Sequence, residues 1–268
     1  MEWQGVKIEL RVPCAKGKKH PVRLRFTGWG EYEVVHNPCV ELLGEALARM
    51  APCSHYLQEH KWWTGDSSLR KRVVDALSQA GSPAVPALIQ ALGDEDWAVR
   101  AAACAALGRI GDPQAVPALI QALGDRDKVV RAAACGALGE IGDLQAVPAL
   151  IQALGDRDMA VRSAACGALG EIGDPQAVPA LIQALRDWLV RSAACEALVK
   201  IGKPAVPALI KKLRDWNYDV RLAACEALGA IGDPQAVPAL EKVARRDFSW
   251  AGAAAFEALR KIRERNQR

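Results

Sequence analysis

The chain has 268 residues, of which 51% are hydrophobic but only 5% aromatic, and its 35 basic and 31 acidic residues leave a net charge of +4. Ala, Leu and Val carry most of the apolar mass, a mix that suits closely packed helices better than a sheet sandwich. The charge is too small and too dispersed to point to nucleic acid, and no run approaches the roughly 18 apolar residues of a membrane span.

Residues 1–65 read as a domain of their own. VKIELRV and PVRLRF alternate apolar and polar residues, and YEVV is a candidate third strand. Gly17 suits a hairpin turn, residues 40–50 (VELLGEALARM) read as a helix, and Trp62 and Trp63 stand near its C-terminal end. The expectation is a small β-hairpin-plus-helix module whose default role is to cover the end of the neighbouring domain. The opening MEWQGVKIELRV lacks the apolar core of a signal peptide, so a cytoplasmic location is expected. Cys14, Cys39 and Cys53 each follow a proline, and His55 lies close by, which supplies the ligand types of a Cys3His zinc site. Their spacing matches no tight knuckle, and no metal or other cofactor is expected.

From about Asp66 the chain repeats. Residues 111–141 and 142–172 differ at 4 of 31 positions, and Gly81, Gly111, Gly142, Gly173, Gly202 and Gly232 recur at spacings of 30, 31, 31, 29 and 30. A half unit opens the array, and six full units occupy the rest of 66–268. Each unit reads as two helices. The first runs from about Asp112, a candidate N-cap, to Leu123, with Val116, Leu119, Ile120 and Leu123 at helical spacing. Pro117 recurs in every unit, so the helix either starts late or is kinked there. The second runs from about Asp127 to Ile141, with Val130, Ala134, Ala137, Leu138 and Ile141 as its expected buried stripe, and ends at Gly142. One unit cannot bury both helices, but stacked units can. The shortest unit lacks two residues in its inner loop, and the last departs from the pattern with Gly252 for the recurring Arg and Phe256 for the recurring Cys.

The DPQAVPALIQAL and VRAAACGALGEIG segments, six times repeated, resemble the HEAT-like repeats of the phycobilisome-lyase type. The resemblance covers about three quarters of the chain. It implies a mainly α protein, a right-handed α-solenoid with second helices on its concave face. It also implies a protein-binding role in most members and bilin handling in a few.

Little in the repeats points to catalysis. Cys104, Cys135, Cys166, Cys195 and Cys225 share one repeat position beside buried alanines, where a small apolar residue is needed. Arg100, Arg131, Arg162, Arg191 and Arg221 are also periodic, and Asp96, Asp127, Asp158 and Asp187 sit four residues before the first four. The family reading is an Asp–Arg ladder joining neighbouring units. All four histidines precede the array, and neither a CxxC cluster nor a phosphate loop occurs.

The resemblance further indicates which second-helix positions face the groove. Its floor is small (Ala101, Ala105, Ala132, Gly136, Ser163, Gly167, Ser192), and its edge is often large: Trp97, Lys128, Met159, Trp188, Tyr218 and, one position along in the last unit, Trp250. The expected function is a non-enzymatic scaffold holding an apolar helix or an extended peptide on this row. The alternatives are a bilin lyase-like chromophore-handling protein and a nucleic-acid-binding helical repeat, and near-identical units also fit a self-associating or engineered array.

Overall fold

The computed structural model describes Lys7–Pro13, Lys19–Gly28, Glu31–His36 and residues 81–266. The expected helix at 40–50, the half unit before Gly81 and the residues Cys14, Cys39, Cys53 and His55 lie outside the described residues. The chain divides into two compact units, Met1–Ala137 and Leu138–Arg268. The protein is mainly helical.

In the first unit, β1 (Lys7–Pro13), β2 (Lys19–Gly28) and β3 (Glu31–His36) form an antiparallel sheet in the order β1-β2-β3. Ile8 lies opposite Leu24, and Arg25 opposite Glu33. The same unit holds α1 (Val85–Ala91), α2 (Trp97–Ile110), α3 (Val116–Ala122) and most of α4 (Lys128–Ile141). The second unit holds the end of α4, then α5 (Val147–Ala153), α6 (Met159–Ile172), α7 (Val178–Ala184) and α8 (Arg191–Ile201). It closes with α9 (Val206–Lys212), α10 (Tyr218–Ile231), α11 (Val237–Arg246) and α12 (Trp250–Asn266). Odd-numbered helices are the short first helices of each pair, and even-numbered ones are the long second helices.

The pair α5/α6 shows how a repeat is made. The Asp143 carboxylate accepts from the Gln145 backbone N–H at 2.8 Å and starts a 3-10 turn, Leu144–Ala146. At Val147 the turn passes into α5, where Pro148 stands second. An N–H in the first turn has no partner inside the helix, so a proline there removes nothing. Of the two expectations for the recurring proline, the late start holds: α5 begins one residue before Pro148 and is not kinked there, and the segment expected as a single helix divides into a 3-10 turn and a two-turn α-helix. At the far end Gly173 takes φ +73°, the left-handed conformation, and its N–H donates to Leu169 O at 3.0 Å.

The core is a layered stack of leucines. Leu150, Leu169, Leu181, Leu198, Leu209 and Leu228 are all fully buried, each stabilising by about 2–3 kcal/mol through apolar area removed from water. Second helices pack against one another closely. A Cβ built on Gly139 would stand 2.8 Å from Ala168 Cα, one on Gly170 the same distance from Ala197 Cα, and one on Gly229 the same from Ala258 Cα. The glycine is thus the residue that lets the next second helix approach. In the fourth repeat Val199 takes its place.

The fourth and sixth repeats explain two irregularities of the sequence. In the fourth, the two-residue deletion removes the capping acid before α8. This helix starts at Arg191 behind Val190 with no side-chain cap and is 11 residues long, against 14 in α6. In the sixth, a Cβ at position 252 would collide with the Asp247 carbonyl, so glycine replaces the arginine found there in other repeats. Phe256, in the slot that cysteine fills elsewhere, is exposed.

Two glycines three residues apart in α6 should respond oppositely to the same change. An added Cβ meets nothing within 4 Å at Gly167, so Gly167→Ala should stabilise by up to about 1 kcal/mol through helix propensity. Gly170→Ala should destabilise by about 1–3 kcal/mol through overpacking against Ala197. Urea unfolding followed by circular dichroism checks both signs.

Candidate functional site

The large residues singled out in the sequence occupy one structural place. Trp97, Lys128, Met159, Tyr218 and Trp250 are each the first residue of a second helix, and Trp188 stands in the turn before α8. All six are exposed. Trp188 and Trp250 retain 75% and 77% of their surface, so neither serves as a cover for the stack. Two further aromatics, Trp216 and Phe248, project from the same turns at 81% and 100% exposure. Sequence reasoning passed over them because earlier repeats carry charged residues there, Glu95, Arg126 and Arg157. Behind the row, Ala105, Gly136 and Ser192 are exposed and Ala101, Ala132, Ser163 and Gly167 are half-buried. The small floor is therefore accessible.

The turns that carry the row are closed by hydrogen bonds. In the second repeat, Asp125 Oδ1 accepts from the Asp127 N–H at 2.8 Å, and Asp127 Oδ1 accepts from the Val129 N–H at 2.8 Å, capping α4. The same double acid turn recurs at Asp156 and Asp158, and Asn217 replaces the second acid before α10. The recurring arginine then clamps the turn. Arg100 donates through Nη1 to Asp94 O at 2.8 Å and Glu95 O at 3.0 Å, and grips both oxygens of Asp125, one repeat on, at 2.7 and 2.8 Å. Arg162 makes the same reach to Asp187 at 2.9 Å and Arg221 to Asp247 at 2.8 Å.

The acid gripped by Arg100, Arg162 and Arg221 is thus that of the next repeat rather than the residue four positions before. Asp96 caps its helix at the Ala98 N–H, 2.9 Å, and Arg100 joins the acid 25 residues ahead. In the fourth repeat Asp187 is the turn acid, accepting from Arg162 and from the Leu189 N–H, and α8 starts without a side-chain cap. Arg191 then meets Asp219 at 3.2 Å. A hydrogen bond from Arg100 holds the Asp125 carboxyl below the usual carboxylate range against its burial.

Asp215, in the turn beneath Trp216 and Tyr218, is the most perturbed acid among the described residues. Burial pushes its carboxyl up. Hydrogen bonds from Lys212 Nζ (3.0 Å), the Asn217 N–H (3.1 Å) and Arg186 (3.2 Å) outweigh this and hold it down at about 2. Four of the repeat cysteines are inert thiols. Burial pushes Cys104, Cys166 and Cys225 up to about 12 and Cys195 up to about 11, so none of these is a thiolate at neutral pH. Among the described residues, no group of His, Cys, Asp and Glu is placed to hold a metal ion, and no helix is long and apolar enough to cross a membrane.

A family model described as HEAT repeats matches residues 64–134, 116–198 and 178–260. No curated protein matches the chain. Among solved structures, the chain is similar to the CpcE–CpcF complex of phycocyanin lyase from Nostoc sp. PCC7120, with 27% identity and a TM-score of 0.48 over 86% of this chain and 97% of that one. It is also similar to an archaeal HEAT-like repeats protein from Thermococcus onnurineus NA1, with 15% identity and a TM-score of 0.46 over 74% and 97%. A designed armadillo repeat protein in complex with the peptide (KR)4 shares 21% identity and a TM-score of 0.44 over 66% and 99%.

The turn geometry sets two expected outcomes. Arg100→Ala strands the nearly buried Asp125 and should destabilise by about 3–5 kcal/mol, with Arg100→Lys falling between it and the wild type in urea midpoint. Asp215 has a folded-state pKa below its ordinary value, so its stabilisation is present above pH about 4 and lost as pH falls through about 2. The stability gap between wild type and Asp215→Asn, on the order of 2 kcal/mol at pH 7, should close on acidification to pH about 2, read as converging thermal midpoints.

Proposed function

The chain belongs to the HEAT-repeat family, and we propose from that membership that it is a non-enzymatic scaffold holding a protein or peptide through the exposed residues at the starts of its second helices. The edge of the site is Trp97, Lys128, Met159, Trp188, Tyr218 and Trp250, and Trp216 belongs with them. The observation that carries the reading is the exposure of these side chains at a position where stacking asks for nothing large. Large apolar groups held in water on clamped turns are unfavourable for solubility and suited to a partner. Trp and Tyr bury much area at small entropic cost and so serve as anchors. The accessible floor of Ala, Gly and Ser lets a chain lie close to the helices, which fits an apolar helix or an extended apolar segment.

Residues 1–65 form, in this reading, a separate module that covers the end of the repeat domain, residues 66–268. The three strands β1–β3 support a β component there. A soluble, cytoplasmic scaffold agrees with the balanced charge of the chain.

The test uses peptides selected from a displayed random library on the immobilised wild-type protein. The triple variant Trp97→Ala, Trp188→Ala, Tyr218→Ala should retain the wild-type circular dichroism, because none of the three packs in the core. It should lose about tenfold or more in affinity for the selected peptides, about 1.4 kcal/mol or more. Selected peptides that bind a folded triple variant as tightly as the wild type would overturn the assignment.

A further inference from the structure

The first helices of the last two repeats enclose a second feature that the peptide-binding reading does not use. A groove of about 950 Å³ runs between α9 and α11. Its apolar lining includes Ile210, Leu213, Pro238 and Val243; Lys211 and Arg214 stand on one side and Lys242 and Arg246 on the other, and Gln235 and the Arg221–Asp247 ion pair, whose charges offset each other, also line it. All four cations are exposed. None forms an ion pair among the described residues, in contrast to their neighbours: Lys212 and Arg186 are taken by Asp215, and Arg221 by Asp247.

The repeat pattern makes this concentration conspicuous. At the position of Lys211 and Lys242 the earlier repeats carry Gln90, Gln121, Gln152 and Gln183. Arg214 and Arg246 stand immediately before the turn acids Asp215 and Asp247, where the earlier repeats carry Gly93, Gly124 and Gly155, with Arg186 the one cation. Two adjacent repeats have thus changed both positions together from neutral to basic, and the four changes line one groove. Fold requires none of them, since the earlier repeats stack without them. Unpaired cations placed one helical turn apart on facing walls repel one another and lower stability, so the groove is formed at some cost to the fold.

We propose that the α9/α11 groove is a binding site for an acidic peptide segment bearing apolar residues between its carboxylates. Charge complementarity selects the anion, with Lys211 and Arg214 facing carboxylates on one edge of the peptide and Lys242 and Arg246 those on the other. The apolar lining takes the side chains between them. The volume is far larger than one small anion needs, a water occupying about 30 Å³, and the largely buried guanidinium that lines it, Arg221, is already taken by Asp247. No aromatic side chain lines it to stack a base, which sets it apart from a single-stranded nucleic-acid site. The groove lies on first helices, whereas the row from Trp97 to Trp250 lies on second helices, so the two sites can be occupied and tested independently.

Fluorescence anisotropy with a fluorescein-labelled peptide of repeated Glu-Leu-Ala tests the proposal on the full chain. Binding should weaken steeply as salt is raised. The variant Lys211→Gln, Lys242→Gln places at both positions the residue the other repeats carry, which keeps the fold, and should lose about fivefold in affinity. Lys211→Glu, Lys242→Glu should lose about tenfold or more, whereas Arg157→Glu and the Trp97, Trp188, Tyr218 triple variant should bind as the wild type does. The proposal is overturned if the peptide does not bind, if the glutamine variant binds it unchanged, or if an oligo-dT of equal length binds the wild type more tightly than the peptide.

Discussion

A two-helix repeat of some thirty residues cannot bury its own helices, and everything regular in this protein comes from stacking one repeat on the next. The second helices meet through glycine on alanine, with Gly139 against Ala168, Gly170 against Ala197 and Gly229 against Ala258. At that distance the neighbouring positions must be small as well, which is why cysteine beside alanine recurs inside the helices, buried at Cys104, Cys135, Cys166 and Cys225 and half-buried at Cys195. The cysteine row therefore reflects size and not reactivity, and its thiols are held protonated by the burial that selects them. In the last repeat among the described residues the constraint lapses: Phe256 sits exposed in the cysteine slot, and α12 carries the surface pairs Arg260–Glu257 and Arg260–Glu264.

The stack is fastened at its turns as well as through its core. In the first three repeats one acid shapes the turn and another caps the next helix, and at Arg100 and Arg162 the arginine closes the turn from within while reaching forward to the next repeat. Such a fork is geometrically specific and nearly buried at Arg100, so removing one partner costs more than the pair contributes. The consequence for function is a row of platforms closed by hydrogen bonds. At α2, α4, α6, α10 and α12 the residue that begins the helix is held in place by its turn and stays exposed. It is free to be Trp, Lys, Met or Tyr, and a surface free to vary on a fixed frame is one that can be shaped to a partner.

Period and caps made the helix pairs readable before any coordinates: the glycine spacing, the helical spacing of apolar positions and the capping aspartates all lie on the repeats they were expected to define. The proline in the first helix was ambiguous, because a missing N–H is harmless in a first turn and disruptive in a second, and sequence alone does not say which turn it occupies. The Asp–Arg ladder joins neighbouring repeats as expected, but its acid is not the one four residues before the arginine, for a related reason. Asp96 lies four residues before Arg100, but its oxygen is already committed to the helix cap, and the acid that Arg100 grips comes from the next repeat. Trp216 and Phe248 were missed since they break the pattern where others carry charge, and the α9/α11 groove was missed since its four cations, scattered along the chain, converge only when two repeats stack.

The row of exposed large residues bears the functional reading most directly, and photo-crosslinking locates a partner on it without perturbing the stack. A benzoylphenylalanine placed at Met159, where α6 begins, should crosslink a peptide selected on the wild-type protein, and the same group at exposed Gln183 on α7 should not. Crosslinking from position 183 with none from 159 would contradict the assignment of the second-helix face as the working surface.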